Sequence, residues 1–186
     1  MMLLDEAIHG RRATRSFTPE PVDGSMLERL VDAAIFAPSA VNEQPWHFTV
    51  VRNRPLLDRI SAEAKAHMLE TMGDGNLPER LHQHLDDPDF HVFYHAPALI
   101  LISAGRGQWA VENAALAAEN LMLAAHGLGL GSCWIGFAQR WLETGPGMTL
   151  LGIPASVLPV APIIVGHPAG AVPPVPRNPP VLRWID

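Results

Sequence analysis

The longest regular pattern of apolar and polar positions in the chain runs from Trp109 to His126, without a proline or glycine. Alanine and leucine dominate it, and both lose little conformational freedom on entering a helix. Its polar residues, at about 100° per residue, fall within an arc of roughly 140°. They are Glu112, Glu119, His126, Asn113 and Asn120. The pattern therefore predicts a mostly buried helix whose apolar surface is broader than a lone surface helix needs.

A glycine-rich segment, Gly127–Gly131, is predicted to end this helix, because glycine readily adopts the left-handed conformation common at helix C-termini. The next run, Ser132–Gly136, has the residue types of a short strand. Glycine there allows another backbone, or a flat group, to come close. On this segment alone, a core helix with a glycine-rich stop is the simpler interpretation.

Apolar residues at helical spacing also predict three shorter helices. The first ends near Gly10, the second is terminated by Pro38, and the third covers 55–72. Ser25 and Glu28 form a capping-box pattern, which predicts that the second helix begins at Ser25.

Continuous apolar or β-branched runs predict strands at 48–51, 97–103 and 160–165, with the second of these in the centre of the sheet. Short helical pieces are predicted around Trp141 and 148–153. No internal repeat is present in the sequence, so these elements are expected to form a single domain.

The composition limits the class of protein. A chain of 186 residues with 48% hydrophobic content can bury a sizeable core and is not generally disordered. A formal charge of −6 argues against a nucleic-acid binder. No apolar run approaches the roughly 18 residues of a membrane helix, and the acidic N-terminus is unlike a signal peptide. A soluble cytoplasmic protein is expected, without membrane or nucleic-acid partners.

Two polar segments are candidates for binding. Arg11–Arg15 offers three guanidinium groups to a phosphate or carboxylate, although basic runs are more often solvated surface. Asn42 and Gln44 carry amides that suit a ligand edge with both donors and acceptors, or alternatively the capping of their own turn.

Four histidines fall in a stretch broken by loops, which predicts a mobile flap near a pocket over 77–94 rather than a metal site. They are His82, His84, His91 and His95. No cysteine–histidine cluster has zinc spacing, so no metal is expected. The single cysteine, Cys133, is predicted to be a small buried residue rather than a redox thiol, since nothing basic is near it in sequence.

Five prolines from Pro173 onward predict an extended C-terminal arm with no core of its own. Such an arm must lie on another surface or be disordered. The predicted organisation is a folded domain over 1–170 and the arm over 171–186, which is expected to pack on a partner subunit.

Taken together and in order, four motifs resemble the FMN-dependent nitroreductase family. They are the segments 11–15, 38–48, 129–136 and 163–168. The resemblance implies an α+β fold with a central, mostly antiparallel sheet flanked by helices and an extended C-terminal arm. It also implies a homodimer with FMN at the interface and NADH or NADPH as electron donor.

The resemblance further implies which residues bind the cofactor. Those along the FMN phosphate and ribityl chain would be Arg11, Arg12, Ala13 and Arg15. Those reaching the flavin from the other subunit would be Pro38, Ser39, Ala40 and Asn42. Trp134, Ile135 and Gly136 would pass beside the isoalloxazine near N5, and Arg177 would add a basic phosphate contact. Ala13 stands where a serine is usual in the family, and the single Arg177 replaces what is often a basic pair.

The function implied is hydride transfer from NAD(P)H through flavin N5 to nitroaromatic, quinone or similar acceptors. No catalytic side chain is expected, because the flavin performs the chemistry. Two alternatives remain open at this point. One is different flavin chemistry, such as dehydrogenation, dehalogenation or flavin breakdown, and the other is a non-catalytic flavin-binding module.

Overall fold

The structure is a computed structural model that describes residues 2–72, 85 and 87–185. Its centre is a four-stranded sheet in which every pairing of neighbouring strands is antiparallel, in the order β1-β2-β4-β3. The strands are β1 (Trp46–Val51), β2 (Ala98–Gly105), β3 (Gly131–Trp134) and β4 (Val157–Gly166). The predicted α+β class with a central, mostly antiparallel sheet is confirmed.

Six α-helices accompany the sheet in the described part of the chain. They are α1 (Leu4–Gly10), α2 (Gly24–Ile35), α3 (Arg54–Met72), α4 (Ala110–Gly127), α5 (Gly136–Leu142) and α6 (Gly145–Leu150). A single 3₁₀ turn, Ala40–Asn42, lies between α2 and β1. Most of the predicted flap, including His82 and His84, lies outside the described residues.

Alternation along β2 divides the core into two layers, because successive side chains of a strand point to opposite faces. Ile100 and Ile102 pack with α2 and α4 on one face. Leu99 and Leu101 pack with α3 and α5 on the other. The continuous apolar run of β2 therefore reflects burial on both faces, as its central position in the sheet requires.

The long helix α4 buries one face made largely of small residues against α2 and the sheet. Asn113, predicted to belong to the polar row, is instead 3% exposed, whereas Val111 and Leu116 are about half exposed. The assignment of Asn113 was wrong because its polar groups have partners inside the chain. Its Oδ1 accepts from Ala40 N at 2.9 Å, and its carbonyl accepts from Trp46 Nε1 at 2.9 Å.

Two helix details also differ from expectation. Asp23, and not Ser25, is the N-cap of α2, because its carboxylate accepts from Ser25 N at 2.7 Å, which places the cap two residues earlier than predicted. The first helix ends near Gly10 as predicted, but its apolar residues Leu4 and Ile8 remain exposed in the chain.

Candidate functional site

The arginine segment lies along the outer edge of β3. Thr14 N donates to Ser132 O at 3.0 Å, and Ala13 forms a parallel bridge to Ser132. Gly131 permits this close approach, since a Cβ there would lie 2.6 Å from Thr14 Cγ2. Further along, Phe17 bridges to Pro168 just after β4. The backbone of 13–18 is therefore held between β3 and the end of β4, and the arginine side chains flank it.

The first groove beside this segment has a volume of about 290 Å³ and is lined by two guanidinium groups and an imidazole. Arg11, Arg12 and His126 contribute to its lining. His126 packs so closely on Gly10 that a Cβ there would come within 2.5 Å of the imidazole Nε2. Because α4 ends at this point, its last turn supplies the histidine beside the two arginines.

The two arginines of this groove have different partners. Arg11 Nε donates to Glu119 Oε1 on α4 at 3.2 Å. Arg12 Nη1 donates to the carbonyls of His9 and Arg11 at 2.6 and 2.7 Å. Arg12 Nε is buried and has no acceptor among the described residues. An unsatisfied buried donor costs about 1–3 kcal/mol, so an acceptor brought by a ligand would be favourable here.

The second groove, of about 260 Å³, lies where β3 leads into α5. Its lining consists of Arg15, Tyr94, Cys133, Trp134, Ile135, Gly136 and Phe137. Ile135 N donates to Pro162 O at 2.8 Å and so continues the pairing of β3 with β4 by one residue. Gly136 begins α5, whose first N–H groups have no intrahelical acceptor. A Cβ on Gly136 would meet nothing within 4 Å, so the space beside its backbone is open.

A third groove, of about 380 Å³, joins the other two. It shares Gly170 and Val172 with the first groove and Arg15 with the second. The three grooves therefore form a path along the arginine segment, from a cationic end to an end lined by aromatic side chains and open backbone.

Burial determines the ionisation of the groups at the aromatic end. It raises the pKa of the Tyr94 phenol, and the neighbouring Arg15 opposes this shift by its charge and by hydrogen bonding. Burial also raises the pKa of the Cys133 thiol, which is 3% exposed. Cys133 is thus buried, as predicted, and the raised pKa keeps its thiol protonated at neutral pH although Arg15 and Arg11 are near it in space.

The loop that carries Pro38, Ser39, Ala40 and Asn42 is not brought to these grooves within one chain. Ala40 contacts Asn113 near the start of α4, whereas Gly10 contacts His126 near its end. Thirteen helical residues separate those two contacts, or about 20 Å at 1.5 Å per residue.

Polar side chains of this loop are instead hydrogen-bonded within the loop itself. Ser39 Oγ accepts from Gln44 N, and Asn42 Oδ1 accepts from Gln44 Nε2, both at 3.0 Å. Val41, Asn42 and Gln44 all have positive φ. The turn-capping alternative for these amides is therefore present in the chain. Arg177 lines none of the three grooves; it lies on the exposed arm, where its Nη1 donates to Val175 O at 3.4 Å.

Sequence reasoning did not assign to the site several residues that line the path, among them Tyr94 and His126. Tyr94 is the only tyrosine of the chain, and it lies just before the central strand. His126 was assigned to the polar row of α4 without a role. Their proximity to the arginines depends on packing between distant elements, for which local sequence carries no signal.

Comparison with known proteins identifies the class. The Nitroreductase family matches residues 8–167, and the chain belongs to that family. A crystal structure of a nitroreductase with bound FMN from Bacteroides fragilis has a TM-score of 0.86, with 24% identity and full coverage of both chains. An iodotyrosine deiodinase bound to FMN and 3-iodo-L-tyrosine has a TM-score of 0.78, with 26% identity over 99% of this chain and 100% of the other.

Matches to curated proteins cover shorter parts of both sequences. A nitrobenzene nitroreductase from Ectopseudomonas oleovorans is 30% identical over 105 residues, which are 56% of this chain and 42% of that protein. The chain spans less than two thirds of the length of such relatives, for example 29% of one from Methanothermobacter thermautotrophicus and 55% of one from Burkholderia lata. In the described part of this chain, no helix has the length and apolar character needed to cross a bilayer.

Proposed function

We propose that the protein binds FMN along the path formed by the three grooves and is an NAD(P)H-dependent oxidoreductase acting on nitroaromatic, quinone or similar acceptors. The main support is the arrangement around segment 11–15, which has arginines with an unsatisfied donor at one end and open backbone at the other. A cofactor that carries a phosphate on one end and a flat ring on the other fits both ends.

We assign a part of the cofactor to each of the three arginines and to the backbone between them. Arg12 would hold the phosphate, with Arg11 assisting as far as Glu119 releases it. The backbone at Ala13 would lie along the ribityl chain, where the missing serine hydroxyl leaves only main-chain groups. We assign Arg15 to the ring rather than the phosphate, because it lines the groove with Trp134 and Gly136.

When bound, FMN supplies hydride acceptance and release at its N5. The chain's own residues position the reactants and shape the electrostatics. The Gly136 N–H at the start of α5 would be a donor toward N5, and the open space beside Gly136 would leave room for a reactant. Burial raises the pKa of both the Cys133 thiol and the Tyr94 phenol, so neither of these two groups is an anion that would oppose a negatively charged ring.

We also infer a homodimer in which each site uses both chains. Val111 and Leu116 of α4 are exposed, as are Leu4 and Ile8 of α1, so apolar side chains remain uncovered on both helices. If two α4 helices pair antiparallel about a two-fold axis, the Asn113 end of one lies beside the His126 end of the other. That pairing would carry the loop of Ser39, Ala40 and Asn42 toward the partner's arginine path.

Reductive dehalogenation is the second candidate, supported by the likeness to the FMN-bound iodotyrosine deiodinase over nearly the whole chain. The two candidates share the cofactor and differ in the acceptor. Release of halide from a halogenated phenol, without reduction of nitroarenes or quinones, would favour this second function.

The visible absorption spectrum of the purified protein tests the proposal. We expect a yellow protein with about one FMN per chain, bleached by NADH or NADPH added separately and recoloured by a quinone or nitroarene. A colourless protein that also fails to quench the fluorescence of added FMN would refute it. FMN binding without turnover by any donor would leave only the non-catalytic alternative.

A further inference from the structure

A strained turn, residues 91–95, lies between the second groove and α3. Tyr94 and His95 in this turn have φ of 50° and 56°, a conformation that residues other than glycine rarely adopt. Such a conformation costs on the order of 1–3 kcal/mol unless surrounding contacts impose it. The contacts that impose it here come mainly from His91.

His91 accepts hydrogen bonds from the backbone of its own turn. Phe93 N donates to His91 Nδ1 at 3.1 Å, and His95 N approaches the same atom at 3.4 Å. Backbone N–H groups can only donate, so Nδ1 carries no proton and the ring proton is on Nε2. Nε2 donates to Asp58 Oδ1 of α3 at 3.0 Å. The neutral imidazole thus connects the turn to the helix.

Arg54, one helical turn before Asp58 on α3, contacts the end of the turn at His95. Its Nη1 donates to His95 O and its Nη2 to His95 Nδ1, both at 3.1 Å, while its Nε lies 3.3 Å from Asp58 Oδ1. We call Arg54, Asp58 and His91 the brace of the turn. Val92 N adds a buried bond to Ser61 Oγ at 2.8 Å.

The same side chains could suggest a metal site, because ligand atoms of Asp58, His91 and His95 lie within 4.8 Å of one another. The hydrogen bonds argue otherwise. The Arg54 guanidinium already supplies a cation to Asp58 and His95, and both ring nitrogens of His91 are engaged. A metal would have to displace all of these contacts.

The brace sets the position of Tyr94, which lines the second groove and also a neighbouring groove of about 400 Å³. Its ring meets Phe90 edge-on at 5.7 Å, and Phe90 meets Phe137 edge-on at 6.4 Å. Arg15 lines both grooves with Tyr94 and lowers the pKa of its phenol by charge and hydrogen bonding, although burial raises it more. Arginine has no acceptor atom, so it cannot take up the phenol proton, which remains available to a ligand in the groove.

We propose that Tyr94 is a specificity-determining residue, whose O–H donates to an oxygen on a planar aromatic acceptor that packs against Phe137, and that the brace holds it in place. The inference rests on the proposed function and names the acceptor class: rings that carry a nitro, quinone or carboxylate oxygen. A neutral phenol is required for this donation, and burial keeps Tyr94 in that form at neutral pH.

Acidification should weaken this recognition. A protonated His91 would carry hydrogen on Nδ1 and lose both backbone contacts. Burial, followed by His95 and Arg54, lowers the pKa of His91 below its ordinary value of 6.5, and Asp58 offsets only part of this by favouring the charged form. Arg15, Asp87 and Asp89 also face the neighbouring groove. The brace is therefore intact above about pH 6.5 and is lost as pH falls through the lowered pKa.

Equilibrium binding of 4-nitrobenzoate to the oxidised, FMN-loaded protein, measured by calorimetry, tests the proposal without turnover. Tyr94→Phe keeps the ring and should weaken binding roughly 3- to 10-fold at about pH 7.5, the range expected for one hydrogen bond. FMN is kept saturating in every titration, because Tyr94 also lines the groove proposed for the flavin ring. His91→Ala should weaken 4-nitrobenzoate binding in the parent background but have little further effect when Tyr94 is already Phe, because both changes act through one hydroxyl.

His47→Ala, on an exposed position of β1 at the far edge of the sheet, is the matched control and should leave binding and its pH dependence unchanged. Equal affinities of parent and Tyr94→Phe, or an undiminished effect of His91→Ala in the Phe background, would overturn the inference. Failure of the parent to bind FMN would instead overturn the proposed function, so the two failures are distinguishable.

Discussion

At the scale of single residues, three arginines within five positions have three different environments. Arg11 forms an ion pair with Glu119 that is partly exposed, and such pairs contribute only about 0–1 kcal/mol, so a ligand could recruit Arg11 at small cost. Arg12 is held by two carbonyls and retains a buried donor without an acceptor. Arg15 is exposed and lies beside Tyr94. Adjacent guanidinium groups can therefore serve opposite ends of one ligand.

This difference predicts how two substitutions change flavin binding. Arg12→Ala should lower FMN affinity roughly 10- to 100-fold, as expected for a charge-assisted hydrogen bond, with little effect on riboflavin, which has no phosphate. Arg15→Ala should weaken FMN and riboflavin by similar factors, because it is assigned to the ring. Fluorescence quenching titrations of both flavins against each variant would measure these ratios.

Arg106→Ala is the control for loss of a guanidinium, since Arg106 donates to Ala155 O, away from the grooves. A larger loss of FMN relative to riboflavin in Arg15→Ala than in Arg12→Ala would reverse the assignment. Unchanged affinities in both variants would mean that the arginines form a solvated surface run.

At the scale of elements, the sequence predicted best those strands and helices whose burial requires a regular spacing of apolar residues. The central position of β2 and the long helix α4 followed from a continuous apolar run and from helical spacing, since a sheet or helix buried on these faces requires such patterns. The prediction that Asn113 lies on the polar face was wrong because periodicity treats every amide as polar surface. In the fold a buried Asn113 is acceptable, since Ala40 and Trp46 supply its hydrogen-bond partners.

Contacts between elements were not predictable in the same way. The bridge of Ala13 to Ser132, the turn that presents Tyr94, and the separation of the Ser39 loop from the arginines all depend on residues far apart in sequence. The family resemblance placed Arg15 with Arg11 and Arg12 along the phosphate and ribityl chain, whereas in the structure Arg15 lines the groove of Trp134 and Gly136. The geometry of the grooves makes that distinction.

The partners of Asn113 predict its effect on stability. Asn113→Ala leaves the Ala40 N–H without its acceptor, and an unsatisfied, partly buried donor costs about 1–3 kcal/mol of the free energy of unfolding. Asn120→Ala is the matched control, because Asn120 lies on the same helix and makes one longer bond, 3.3 Å to Ala33 O. Urea unfolding at equal protein concentration should show the larger loss for Asn113→Ala. Equal losses would mean that the contact to the loop is not a significant anchor.

At the scale of the whole molecule, apolar surface remains uncovered at both ends of the chain. Leu4 is 70% exposed, and on the arm Trp184 is 82% exposed. Residues 171–185 have no helix or strand, and almost all of them are exposed. Soluble monomers rarely expose so much apolar surface without a partner, which supports the proposed homodimer. Sedimentation should then give a species of about 40 kDa, twice the 20.2 kDa chain.

A subunit-mixing experiment tests whether each site uses two chains. Arg12→Ala damages the arginine path and Asn42→Ala damages the loop, so each homodimer alone should retain FMN poorly. If the loop of one chain completes the site of the other, a heterodimer of the two variants has one site with both defects and one with neither. Co-expression with random pairing should then restore tight FMN binding in about one quarter of all sites. Pairing Arg12→Ala with the double variant Arg12→Ala/Asn42→Ala is the control and should restore none. If the first mixture also restores none while heterodimers form, each chain builds its own site, and the assignment of Pro38, Ser39, Ala40 and Asn42 to the partner's flavin must be abandoned.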